Sequence, residues 1–371
     1  MLKGLKMMMM MMMRGEKLGL LVWLVVTGVL SAPGRAAEMP RIELSADGQR
    51  FELADSDTQF IPWGHNYAST DLLERLEADP QRVAREFQEM KAAGTTVARV
   101  HPELPRILTG PGQANPRAVS QLRQLLETAE QSGIYLKITG LAAYRIADRL
   151  EWYDTLPEAE RWQTQAFFWE TVAATCAQSP AVFAYDLVNE PAAVGKVEDG
   201  WYTGRMGDVE FCQRLSLTPG DRTAGDIFRD WTRQMVAAID KHDPQRLITL
   251  GMLPFPTAYQ STVEHLDFVS PHLYPETGKV EQELELLKRF DWGKPIVIGE
   301  TFPLKSGVAD LRQFLLESRP WADGWLGHWP DTSPEVLAQR KAAGEATIHD
   351  AIWLSWVELF RELGPEMLQA K

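Results

Sequence analysis

Val182-Phe183-Ala184-Tyr185-Asp186-Leu187-Val188, followed at once by Asn189-Glu190-Pro191, is the stretch on which the reading turns. A short, nearly continuous apolar run reads as a strand covered on both faces, and such strands belong to parallel sheets. Helical patterns flank it, one over 157–177 and one opening near Ala224. Outward from this unit the same alternation repeats. Apolar runs occur at 60–64, 96–100, 134–138, 247–250, 268–272, 295–299 and 323–329. Asp79-Pro80 and Asn115-Pro116 each supply an N-cap and a proline at the first helical position, and Gly94 and Gly133 stop those helices. Further helices are expected over 280–290 and 311–317, with a last helical stretch over 334–363 that is open to a break. Eight such strands, nearly all separated by helices, predict an α/β fold closed as a (β/α)8 TIM barrel. An open doubly wound sheet is the alternative, but no glycine-rich phosphate turn follows the first strand. Ahead of the barrel, 41–45 and 49–53 alternate about Ala46-Asp47-Gly48 and predict a short N-terminal β-hairpin capping the lower end.

The chain has 371 residues, 45% hydrophobic and 24% charged, which suits one large buried core. Residues 1–36 read as a signal peptide: Arg14 and Lys17, the apolar run 18–30, then small residues up to Ala36-Ala37. The apolar run is shorter than the ~20 residues a membrane span needs. The expectation is therefore an exported protein, extracellular or periplasmic, with residues 37–371 as a single catalytic domain and no membrane attachment after cleavage. Residues 1–36 carry five basic groups and one acidic group, so without them the net charge falls from −13 to −17. A field of that sign repels phosphate backbones, so nucleic acid is not expected as a partner. Cys176 ends a helix and Cys212 sits in the long segment after the fourth strand, at opposite faces of a barrel, so no disulfide is expected.

In a barrel of this kind the active face is built at the C-terminal ends of the strands. Glu190 and Glu300 both stand there, directly after the runs ending at Val188 and Gly299. Two carboxyls converging on one mouth are what cleavage of an acetal requires: an acid to protonate the departing oxygen and a carboxylate to attack the anomeric carbon. Repulsion between the two keeps one of them protonated. A barrel in which the glutamates merely cap strands or pair with Arg99 is the plain alternative.

At these residues the chain resembles glycoside hydrolase family 5 and its wider clan A, over most of its length beyond the leader. The motifs are Val188-Asn189-Glu190-Pro191, Ile298-Gly299-Glu300, Val97-Ala98-Arg99-Val100 and Ser270-Pro271-His272-Leu273-Tyr274. The resemblance implies a retaining β-glycosidase acting on a β-linked glucan or mannan, with Glu190 as acid/base and Glu300 as nucleophile. It further implies Asn189 on the sugar 2-hydroxyl, Arg99 and Tyr274 on the nucleophile, His272 beside the acid/base, and Trp329 as an indole platform under the sugar. Asn66, with Trp63 and His65, is expected to line the cleft floor, and Trp201 with Tyr202 to form an outer subsite or a packed loop anchor. The histidine many members carry after the third strand is missing from Ile138-Thr139-Gly140-Leu141, and His101 is not given its role. No cofactor or metal is implied: the seven histidines form neither His-x-His nor His-Glu-x-x-His. A carbohydrate-binding barrel without turnover, and a transglycosylase on the same residues, remain as rivals. The expected state is a monomer.

Overall fold

The computed structural model describes residues 39–141, 144–193 and 195–370; the leader expected over 1–36 lies outside them. Eight parallel strands carry the fold: β1 (Trp63–Tyr67), β2 (Val97–Val100), β3 (Tyr135–Thr139), β4 (Val182–Asn189), β5 (Leu247–Met252), β6 (Ser270–Pro271), β7 (Val297–Ile298) and β8 (Gly324–His328). Each is hydrogen-bonded to its neighbour in chain order from β1 to β6, and β8 pairs with both β7 and β1. The last seam, β6 to β7, closes through parallel bridges Val269 to Ile296 and His272 to Glu300. The sheet is a closed barrel.

Helices α1 (Pro80–Ala92), α2 (Pro116–Ser132), α3 (Glu158–Cys176), α4 (Ala224–Asp240), α5 (Val280–Lys288), α6 (Val308–Ser318), α7 (Pro334–Ala342) and α8 (Ile348–Met367) surround it. Their ends follow local chemistry. Asp79 and Asn115 accept from the first-turn amides of α1 and α2, and Thr223 and Thr347 form capping boxes with Asp226 and Asp350. The stretch expected over 334–363 is two helices, because Gly344 turns the chain at φ 73° and Thr347 begins a new cap. Between β5 and β6 stand only a one-turn helix, Pro256–Tyr259, and a 3₁₀ segment, Gln260–His265. Among the described residues no helix is long and apolar enough to cross a membrane.

The run read as 60–64 divides at Pro62, which has no N–H to continue a ladder. Upstream of it Gln59–Phe60 pairs antiparallel with Phe51–Leu53, which pairs with Ile42–Leu44. This small sheet plugs the lower end of the barrel: Phe51 packs edge-on to Phe183 and Phe268 at 5.1 and 5.2 Å. Above that apolar floor the interior turns polar. Arg99, Lys137, Asp186, Thr249 and Ser270 are all fully buried.

Candidate active site

Strand parity decides what reaches the barrel mouth. On β2, Val97 belongs to the floor and Arg99 stands two residues above it, on the same inward face. The guanidinium is the hub of the site. Its Nε donates to Asp186 at 2.8 Å, Nη2 to the Asn189 side-chain Oδ1 at 2.9 Å, and Nη1 to Asn66 Oδ1 at 2.7 Å and to Glu300 Oε1 at 2.5 Å. Two glycines make room for the guanidinium and the His272 and Ser270 side chains beside it. A Cβ on Gly251 would come within 3.0 Å of Arg99 and 3.1 Å of His272, and one on Gly299 within 2.5 Å of the Ser270 hydroxyl.

Glu300 is gripped on both oxygens, Oε1 by Arg99 and Oε2 by the Tyr274 hydroxyl at 2.5 Å. Burial works against its charge, but His272, Arg99 and Tyr274 outweigh burial and hold its carboxyl well below the usual carboxylate range. Glu190 has φ 51°, a left-handed backbone rare outside glycine, and its amide donates to the Gly251 carbonyl at 3.0 Å. Its Oε1 lies 2.8 Å from His272 Nδ1, and its Oε2 accepts from the Cys212 thiol at 3.1 Å. The two glutamates face each other. One oxygen of each, with a ring nitrogen of His272, falls within a 4.8 Å span, and each carboxyl side chain keeps 12% of its surface open. Distance alone would let this trio ligate an ion, but Arg99 and Tyr274 already occupy both oxygens of Glu300.

Beneath the carboxyls lies a buried charge network that the sequence reading did not single out. Asp186 Oδ2 takes Arg99, the Thr139 hydroxyl at 3.0 Å and Lys137 Nζ at 3.1 Å. Burial pushes the Lys137 ammonium down to about 8 against the pull of Asp186. Alternation could have flagged both: Lys137 shares an inward face with Tyr135 and Thr139, and Asp186 is the lone charge in the β4 run.

Three residues expected to touch substrate are differently situated. The Asn66 side chain is buried, donating to the carbonyls of Gly299 and Gly327 at 3.0 and 2.9 Å, and accepting from Arg99. It braces the hub and offers a ligand nothing. Trp329 faces the outer layer, edge-on to His65 at 5.1 Å and within the helix-side core, so it is no platform over the mouth. Parity along β8 gives the inward place to His328, a quarter exposed, 3.4 Å from the Tyr274 hydroxyl and 3.8 Å from Glu300. Trp201 is buried, donates to the Asp154 carbonyl at 3.0 Å and covers Arg161 at 4.1 Å, so of its two expected roles it takes that of loop anchor. Trp63 and His65 also face outward, against Phe360. His101 is buried near Arg99 with neither ring nitrogen hydrogen-bonded.

A search among curated proteins finds no match. Solved structures match the fold at low identity. An exo-beta-1,4-mannosidase from Opitutaceae bacterium strain TAV5 superposes with TM-score 0.64 at 17% identity, over 88% of this chain and 63% of that one. This chain therefore spans under two thirds of that protein's length. A beta-1,4-mannanase from the sea hare Aplysia kurodai gives TM-score 0.54 at 14% identity, covering 87% and 96% of the two chains. A family 5 mannosidase from Rhizomucor miehei gives 0.54 at 12% identity, covering 89% and 100%. At such identities these likenesses establish the barrel alone. The family model for cellulase (glycosyl hydrolase family 5) matches residues 44–301, a span that opens in the floor hairpin and takes in both glutamates, Arg99, His272 and Tyr274; the chain belongs to glycosyl hydrolase family 5.

Proposed function

We propose that this protein hydrolyses β-linked glycosides with retention of configuration, Glu300 serving as nucleophile and Glu190 as acid/base. The unequal treatment of two facing carboxyls carries this reading. Glu300 is held ionised by His272, Arg99 and Tyr274, whereas among the described residues the Glu190 side chain hydrogen-bonds only to an imidazole and a thiol. One oxygen of each lies within 4.8 Å of the other, which suits direct attack on an anomeric carbon, for which carboxyls ~5–5.5 Å apart are typical, better than the wider spacing that admits a water between them. In the first step Glu300 attacks as Glu190 gives its proton to the departing oxygen. In the second, Glu190 takes a proton from water, which displaces Glu300 from the same carbon. Asn189 has its side-chain Oδ1 fixed by Arg99, which aims its side-chain amide hydrogens at the sugar 2-hydroxyl, where the bond strengthens in the transition state.

For the substrate we propose a β-linked mannan or glucan chain, with β-mannosides tested first because the structural neighbours named above are a mannosidase, a mannanase and a second mannosidase. Aryl β-mannosides and β-glucosides, then a panel of polysaccharides, are the assay. Release of aryl alcohol that vanishes in Glu300→Ala, and azide rescue of Glu190→Ala to a product of retained configuration, are the expected results. Inverted product would overturn the mechanism. Binding without turnover would favour a carbohydrate-binding barrel, and acceptor sugars in the products a transglycosylase.

A further inference from the structure

Glu190 must alternate between carboxylic acid and carboxylate within one turnover, so its partners have to tolerate both states. His272 from β6 meets Oε1. Glu300 faces it from β7, and Tyr259, from the short helix after β5, lies close enough for Glu190 to perturb its hydroxyl while donating to the Pro191 carbonyl at 2.9 Å. Oε2 meets Cys212 alone among the described residues.

The placing of that thiol is elaborate. The chain between β4 and α4 folds into an antiparallel hairpin, Tyr202–Met206 with Val209–Gln213. It is laced back to the exit of β4: the Ala192 amide donates to the Gln213 carbonyl, and the Leu215 amide to the Ala192 carbonyl, both at 2.9 Å. At the end of this hairpin Cys212 is forced to φ 57°, and the Thr203 hydroxyl pins its carbonyl at 3.0 Å. A non-glycine residue held left-handed costs about 1–3 kcal/mol and persists only where its surroundings over-determine it. The strain turns Sγ onto Glu190. Burial and the neighbouring Glu190 push the thiol upward, so it stays S–H.

We propose that Cys212 is a positioning residue for the acid/base, a reading that rests on the assignment of Glu190 to that role. Its S–H donates to Oε2 while Glu190 is ionised, and the thiol turns its lone pairs to Oε2 when that oxygen carries the proton. A thiol is a weak donor and a weak acceptor, so neither state is trapped. With His272 Nδ1 on Oε1, the exchangeable proton is kept on Oε2, where the weak thiol contact holds it until the glycosidic oxygen takes it. An ammonium in this place would hold Glu190 ionised, and a methyl group would leave Oε2 unpartnered.

Two measurements on the full chain test this. The infrared S–H band of Cys212, identified by its loss in Cys212→Ser, is expected to shift as Glu190 titrates and to stay fixed in Glu190→Gln; a band indifferent to Glu190 overturns the proposal whether or not the protein turns over a glycoside. In kinetics, Cys212→Ala is expected to lose about tenfold in kcat/KM on aryl glycosides with poor leaving groups, the scale of one hydrogen bond to a charged group, and little on dinitrophenyl glycosides that need no acid. Cys212→Ser should restore most of the loss. Equal losses for both leaving groups, or no recovery with serine, would reduce Cys212 to a packing role. Absence of any hydrolysis by the unaltered protein would instead strike the glycosidase reading, with the infrared result still standing for the contact.

Discussion

At the residue scale, Glu300 is ionised because the charges of His272, Arg99 and His328, together with the hydrogen bond from Tyr274, outweigh the cost of its burial. The sign of its removal follows. Without the phenol the charged form loses a donor, so the carboxyl rises toward the ordinary range, and the acid limb of the kcat/KM profile should move to higher pH in Tyr274→Phe. A full pH profile of both proteins checks this; an unmoved or lowered acid limb would mean that Tyr274 does not stabilise the charge. The plateau rate should fall as well, by about 10²-fold if the phenol also supports the transition state. Much at this scale was legible: Glu190, Glu300, Arg99, Asn189, His272 and Tyr274 were named from sequence, and the structure brings them together, Glu190 with His272 and Glu300 with Arg99, Asn189 and Tyr274, the two groups meeting where His272 lies 3.6 Å from Glu300. What was not legible turned on parity. Trp329 and His328 are neighbours at a strand end, and only the register of β8 against β1, Trp325 opposite Trp63, says which of them looks inward. Nor could spacing reveal Cys212, brought to Glu190 by a hairpin whose fold depends on tertiary pairing with Ala192.

At the element scale the hairpin of residues 202–213 is held at its base by an aromatic clamp. Arg161 of α3, fully buried, lies between the rings of Tyr153 at 3.7 Å and Trp201 at 4.1 Å. Its guanidinium also donates to the Tyr153 carbonyl and to Gln213, the residue next to Cys212. Trp201→Ala opens one side of this clamp. Core Trp or Phe truncations cost about 3–5 kcal/mol, so a large drop in Tm is expected, and with it a fall in kcat/KM as the hairpin loosens over Glu190. Trp201→Phe keeps a ring face and should recover most of both. A variant with lowered Tm but unchanged kcat/KM would disconnect the clamp from the site. Helix ends were the clearest elements in the sequence, since Asp79 and Asn115 cap through their own side chains. Strand starts were less clear. Pro62 breaks a run that apolarity alone joins, and the pairing of Gln59–Phe60 with the hairpin is a long-range choice.

At the scale of the whole molecule the barrel divides its labour between two ends. The lower end is apolar and closed by the hairpin, with Phe51 against Phe183 and Phe268. The upper end spends that stability on strained backbone at Glu190 and Cys212 and on the buried charges of Arg99, Lys137 and Asp186. Barrels place chemistry at the C-terminal face and stability at the other, so the two should be separable by mutation. Phe51→Ala removes a ring with no exposed surface and leaves a cavity where the strands begin. The expected cost is about 3–5 kcal/mol, read as a lower midpoint in denaturant with an unchanged slope. Per folded molecule, kcat/KM well below the unfolding transition should match the unaltered protein. A selective loss of activity at full folding would show that the floor transmits to the mouth, most directly through Phe268, which lies two residues below Ser270 and four below His272 on one inward face, and whose ring lies 5.9 Å from Lys137 Nζ.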